Sequence, residues 1–323
     1  MRSKYLFFLL VVVITSGYIQ AQETPPHIAA QLAEGKMEFY GPFIENFNEP
    51  TSQFFFQRRN NRTEEGDFRF FPGTTSLSEK GTEVMLYRID PEDPAGAGRG
   101  PEIISNKFTH FGTYATRVRI PDITKVQPNV GAVVGYFTYH RDDVYGLSEI
   151  DWEWLIADPE IIYIGTWTGR GSLQRIGRTI NLAKGIIYNT SYRSAAEGNR
   201  NQPLTGLQNQ PETIQPIEGF NAASKFYTYG FDWYPDRLVW WIIHPTTTEK
   251  VVLWDYSGST PNFTGIPPNP TLYRFNFWHT NNWPVETNRN SIEKPLYPYE
   301  LEIDWMSYTP FEDLNKAFQE QNK

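Results

Sequence analysis

Between Leu147 and Leu155 the chain reads LSEIDWEWL, with Glu149, Asp151 and Glu153 at every second position and Ile150, Trp152 and Trp154 in the gaps. A strand sends successive side chains to opposite faces. This spacing therefore puts three carboxyl groups on one face and three large apolar groups on the other, which predicts a core-facing side and an acidic side. Carboxylates this close raise one another's pKa values, so solubility alone is a poor reason for them. Retaining cleavage of a glycosidic bond needs two carboxyl groups, one ionised as nucleophile and one protonated as acid, roughly 5–5.5 Å apart. At ~3.3 Å per residue the Cα atoms of Glu149 and Glu153 are about 13 Å apart, so long side chains on a curved strand must lean inward. The aspartate between them can hydrogen-bond one or both and help set which keeps its proton. A solvated acidic face and a carboxylate calcium site are the competing readings. The stretch lacks the loop carbonyls and Asp-Gly type turn that calcium sites draw on.

The elements that must position this strand are also strands. Short alternating runs dominate the chain: EVMLYRI (83–89), GTYATRVRI (112–120), GAVVGYFTYH (131–140), EIIYIGTWT (160–168), KFYTYGFDWY (225–234), RLVWWII (237–243), KVVLWDY (250–256), LYRFNFWHT (272–280) and YELEIDWMSYT (299–309). Loops rich in Gly, Pro, Asn and Asp separate them, the pattern of an all-β sandwich or barrel. WYPDRLVWW predicts a hairpin turning at Pro235-Asp236. Helical spacing is confined to a short turn at 28–33 within a polar lead-in, 22–40, and to a C-terminal helix or tail, 311–323, preceded by Pro310. One β domain over 41–310 is the simplest organisation.

The N-terminus has the form of a secretory signal, 1–21: Arg2 and Lys4, an apolar run from Tyr5 to Ile14, then small and polar residues. The run is short of the ~20 residues that span a bilayer, so the reading is a secreted or periplasmic bacterial protein with no membrane partner after cleavage. The 323 residues include no Cys, which excludes disulfides and thiolate metal sites. The net charge of -8 argues against a nucleic-acid partner, which would require a basic face. No HExxH-like pair is present, so a catalytic zinc is not expected.

Glu-Ile-Asp-Trp-Glu resembles the active-site strand of glycoside hydrolase family 16, whose fold is a β-jelly-roll sandwich of two curved antiparallel sheets with a cleft on the concave face. FGTYATRVRIP (111–121), GYFTYH (135–140), YTYGFDWYPDRLVWWI (227–242) and LEIDWMSYTP (301–310) resemble further strands of that family, covering roughly residues 80–310. The resemblance implies Glu149 as nucleophile, Glu153 as general acid/base and Asp151 as the assisting acid. The regular Glu-x-Asp-x-Glu spacing looks more like the lichenase, xyloglucan-active and cell-wall transglycosylase branches than like those with an extra residue in the strand. It also implies Glu102, Asn276 and Trp278 as sugar-binding residues, and Asp304 as a structural calcium ligand. This chain departs from those branches at Ile104, where they have an arginine, and at Leu147, Gly165 and Trp167.

Aromatic faces stack on pyranose rings, which adds Phe137, Tyr139 and Trp167 as substrate-binding candidates, with Tyr136 and Trp283 behind them. His140 is read as a surface residue. GRGSLQRIGR (169–178) is read as a solvated loop rim that could meet a sulfated or uronic sugar. The expectation is a monomeric, secreted, retaining endo-glycosidase with no catalytic cofactor, acting on a polysaccharide, foremost a β-1,3 or β-1,3-1,4-glucan. A transglycosylase, a hydrolase of an algal galactan and a non-catalytic lectin-like jelly roll stay open as alternatives.

Overall fold

Alternation becomes two stacked sheets in the computed structural model, which describes residues 26–49, 51–60, 84–143, 146–258, 260–280 and 293–321. The signal segment 1–21 and Trp283 lie outside these residues. Nine strands form one sheet: β2 (Phe55–Arg59), β4 (Pro101–Ser105), β6 (Ala132–Asp142), β7 (Gly146–Leu155), β8 (Ile161–Gly169), β9 (Gln174–Asn181), β10 (Ile186–Arg193), β11 (Gln202–Pro203) and β15 (Leu272–His279). Seven form the other: β1 (Phe43–Glu45), β3 (Met85–Ile89), β5 (Gly112–Arg119), β12 (Tyr227–Trp233), β13 (Leu238–Ile243), β14 (Lys250–Tyr256) and β16 (Tyr299–Pro310). The first runs in the order β11-β10-β9-β8-β7-β6-β15-β4-β2, and the second as β1-β16-β5-β12-β13-β14 with β3 also on β16. Neighbouring strands are antiparallel, giving the expected jelly-roll sandwich. The acidic strand β7 lies at the middle of the larger sheet.

The core fills the space between the sheets. Trp152 and Trp154 of β7 are buried and stack at 5.7 Å, and the Tyr229 ring of β12 meets both edge-on at 5.2 and 4.8 Å. Such aromatic pairs add about 0.5–1.5 kcal/mol each beyond area burial. Trp240 of β13 donates its indole N–H to the Asp151 carbonyl at 3.2 Å, a direct tie from the opposite sheet to the acidic strand. The predicted hairpin joins β12 to β13, with the Tyr234 N–H donating to the Arg237 carbonyl at 2.9 Å.

The lead-in is less polar in role than its composition implies. Helix α1 (Pro26–Ala33) buries Ile28 against Ile104, Phe108 and Leu272, with Phe39 and Phe56 alongside. Leu272 stands opposite Tyr139 and Ile104 opposite Arg274, so α1 covers the outer face of the larger sheet at its β15–β4–β2 end. Helix α2 (Glu312–Gln321) begins two residues after Pro310 and packs Leu314 and Phe318 on the core. Among the described residues no helix is long and apolar enough to cross a membrane.

Candidate active site

Cross-strand register decides what the three acids face. Strand β7 pairs with β6 and β8 without a register shift, so Glu149, Asp151 and Glu153 do share the outer face of the sheet. Glu153 stands opposite Gly135, which stands opposite Asn276, itself opposite Glu102. Asp151 is flanked by Phe137 and Gly165, and Glu149 by Tyr139 and Trp167. A small open cavity lies over the row, lined by Ala97, Gly135, Phe137, Asn276, Trp278 and all three acids.

Gly135 is required by its neighbour. A Cβ there would come within 2.4 Å of the Asn276 Oδ1, so the missing side chain lets the amide lie across the strand toward Glu153. That Oδ1 is buried and has no hydrogen-bond partner among the described residues. A buried acceptor left unsatisfied costs roughly 1–3 kcal/mol, and a hydroxyl of a bound ligand would relieve it.

The acids are half-buried, and burial pushes all three upward. Glu149 rises to about 8, from burial first and the nearby Glu153 charge second, with Arg274 opposing. Glu153 rises to about 7 through burial, with Arg175 opposing. Asp151 rises well above the usual carboxylate range, through burial and then the charges of Glu149 and Glu153. The cluster therefore holds protons at neutral pH while each outer glutamate faces an arginine. One ionised and one protonated carboxyl group side by side is the arrangement that acid-assisted displacement needs.

The other expected site residues divide. Phe137, Asn276 and Trp278 line the cavity. Tyr139 and Trp167 do not: Tyr139 is buried beneath the Arg274 guanidinium, 4.8 Å from its ring, and half-buried Trp167 lies under Arg193 and Arg175. Glu102, expected at a sugar, is instead 1% exposed and holds Arg58 through one carboxylate oxygen and Arg274 through the other. Its job here is to fix Arg274, whose charge reaches Glu149. Arg274 stands opposite Ile104, so an arginine from the neighbouring strand occupies the region where position 104 carries none. His140 is buried against Phe108 and out of phase with Glu149, correcting the surface reading.

Asp304 pairs with the Arg117 guanidinium. Among the described residues no group of three or more His, Cys, Asp or Glu is placed to hold a metal. A carboxylate already against a cation does not fit a calcium ligand. The arginine-bearing stretch 169–178 is also not a loop throughout, since 174–181 is strand β9. Its Arg178 points inward, donating to Thr190, Asn209 and the carbonyls of Pro211 and Leu253. Arg274 and Gly135 were missed in the sequence, although both stand two-residue steps from positions that were noticed.

Fold and side chains together define a jelly-roll sandwich with a carboxyl-lined cavity on the outer face of its larger sheet. No family model matches the chain. It is similar to a beta-glucanase of Paenibacillus polymyxa, 29% identical over 94 residues, which is 28% of this chain and 32% of that protein. A beta-glucanase of Bacillus subtilis is 27% identical over 94 residues, 28% of this chain and 31% of that one. The matched stretch thus spans about a third of either relative's length. Among solved structures, a Bacillus licheniformis beta-glucanase superposes with a TM-score of 0.49 at 18% identity, covering 84% of this chain and 98% of that one.

Proposed function

We propose that this protein is a secreted, retaining endo-glycosidase of the family 16 type that hydrolyses internal β-1,3 or β-1,4 linkages of a β-glucan backbone. The observation that carries the reading is the unbroken strand that presents Glu149, Asp151 and Glu153 together in one cavity beside Asn276 and Trp278. Because the three acids titrate together, the reactive form is the one in which Glu149 is ionised and the protons rest on Asp151 and Glu153; from it Glu149 attacks the anomeric carbon. Glu153 gives its proton to the departing glycosidic oxygen as that bond breaks, leaving a glycosyl ester on Glu149. Glu153, now a carboxylate, takes a proton from a water that attacks the same carbon and releases Glu149. Asp151 keeps a proton between the two and donates it as a hydrogen bond to the nucleophile, which limits repulsion in the cluster. Support for the substrate class comes from the partial likeness to two beta-glucanases. Support for export comes from the charged and apolar N-terminal run.

The test is reducing-end release from laminarin, mixed-linkage glucan, xyloglucan, cellulose, agarose, porphyran and carrageenan, with Glu149→Gln run beside the wild type. Activity on a glucan that the variant lacks is the expected result. Activity on a galactan overturns the substrate, and silence on every polysaccharide with binding retained overturns the enzyme in favour of a lectin.

A further inference from the structure

The row that contains Glu149 continues in one direction through Trp167, Arg175 and Arg193, each directly opposite the last. With strands ~4.8 Å apart, these stand about 5, 10 and 14 Å from the nucleophile's position on the sheet. A pyranose unit is about as long as one such step. A sugar chain crossing the strands would therefore pass Trp167 and the two arginines one to three units from the bond being cut.

Two cations directly opposite each other in a sheet repel, and a protein that places them so normally supplies a carboxylate between. Here Glu153 and Asp151 reach Arg175 with their charge but form no ion pair with it. Among the described residues neither Arg175 nor Arg193 makes a hydrogen bond or an ion pair; both guanidinium groups lie against the Trp167 ring, at 5.8 and 4.9 Å. The fully buried arginines of this sheet behave differently. Arg58 and Arg274 hold Glu102, and Arg178 is saturated with acceptors inside the sandwich.

The floor around the pair is bare. Gly165 and Gly177 continue the Asp151 row, and a Cβ on Gly177 would come within 2.6 Å of the Arg175 Nη2. Arg175 thus lies back along the sheet toward the acids, flattened over a glycine, and half-buried Arg193 stands beside it. Planar guanidinium groups with unused donors, held rigid on an aromatic face, match the oxygens of a sulfate or carboxylate.

We propose that this stretch of the outer face, beside the cavity and in the Glu149 row, binds an anionic substituent, a sulfate ester or a carboxylate, on a sugar near the scissile bond. The inference rests on the endo-glycosidase reading and narrows it: the preferred substrate is a charged β-linked polysaccharide.

The test uses one backbone in three forms: laminarin, chemically sulfated laminarin and laminarin oxidised to carry C6 carboxylates. Initial rates are measured for the wild type and Arg193→Gln, and affinities for the three forms with Glu149→Gln and the double variant Glu149→Gln/Arg193→Gln. The wild type should favour a charged form over the neutral one by tenfold or more in kcat/KM, and the sulfate and carboxylate arms identify the source of charge. Arg193→Gln should reduce that ratio to within about twofold, Arg193→Lys should restore part of it, and added salt should erode it. Cleavage of neutral laminarin as good as or better than that of both charged forms overturns the proposal and leaves the enzyme reading intact. No cleavage, with affinity still favouring a charged form through Arg193, sustains the anion site and overturns the enzyme reading. No cleavage and no preference in binding overturns both.

Discussion

Replacing Glu149 by Gln should make the protein more stable at high pH, although it removes the proposed nucleophile. The folded state raises the Glu149 carboxyl from its ordinary 4.5 to about 8. A carboxyl raised on folding favours the folded state fully below its unfolded value, and that contribution is lost as pH climbs through the folded value. Between about pH 4.5 and 8 the wild type therefore loses stability that the neutral amide does not lose. At 1.36 kcal/mol per pH unit the ceiling is about 5 kcal/mol. The side chain is half-buried and opens on a cavity, so solvent screening reduces this to about 1–3 kcal/mol. For a chain of this size that corresponds to about 2–6 °C in melting temperature. Thermal unfolding of the two proteins at pH 4.5 and pH 9 measures it. They should melt within a degree or so of each other, allowing for the lost hydrogen-bonding difference, at the lower pH and diverge in favour of Glu149→Gln at the higher. Equal melting temperatures at pH 9, or a less stable variant there, would refute the claim that the cluster is held under electrostatic stress.

Three further outcomes follow from particular contacts. Trp152→Ala removes a fully buried ring that packs on Trp154 and Tyr229; it should cost about 3–5 kcal/mol in denaturant unfolding. Glu102→Gln leaves Arg58 and Arg274 buried without their shared carboxylate; a loss of about 3–5 kcal/mol is expected, and a loss below 1 kcal/mol would return Glu102 to the role of a sugar ligand. Gly135→Ala pushes against the Asn276 amide; KM should rise several-fold while melting changes little, and unchanged KM would remove Asn276 from the site.

The site was legible where function and packing use the same alternation. In β7 the acids and the tryptophans occupy opposite phases of one strand, so the spacing alone told face from face. The Pro235-Asp236 hairpin and the helix after Pro310 were legible because turn and cap chemistry is local. Strand β9, QRIGRTIN, was hidden. Its Ile176 and Ile180 face the core, but Arg175, Gly177 and Arg178 interrupt the pattern, and their composition is that of a loop. Strand β4 was missed because its Glu102 is buried by ion pairs with arginines on two other strands, a partnership 44 and 172 residues away that no local pattern records. The lead-in hid its fully buried anchor, Ile28, in a segment of mostly polar and small residues.

A nucleophilic Glu149 makes cleavage a double displacement, and the stereochemistry of the first product reports it. ¹H NMR of a fresh digest, read before mutarotation, reports the anomer released from whichever β-glucan the enzyme cleaves. With double displacement the β-anomer forms first and the α-anomer appears only as the sugar equilibrates. Initial release of the α-anomer would mean single displacement by water, and would contradict the assignment of Glu149 as nucleophile.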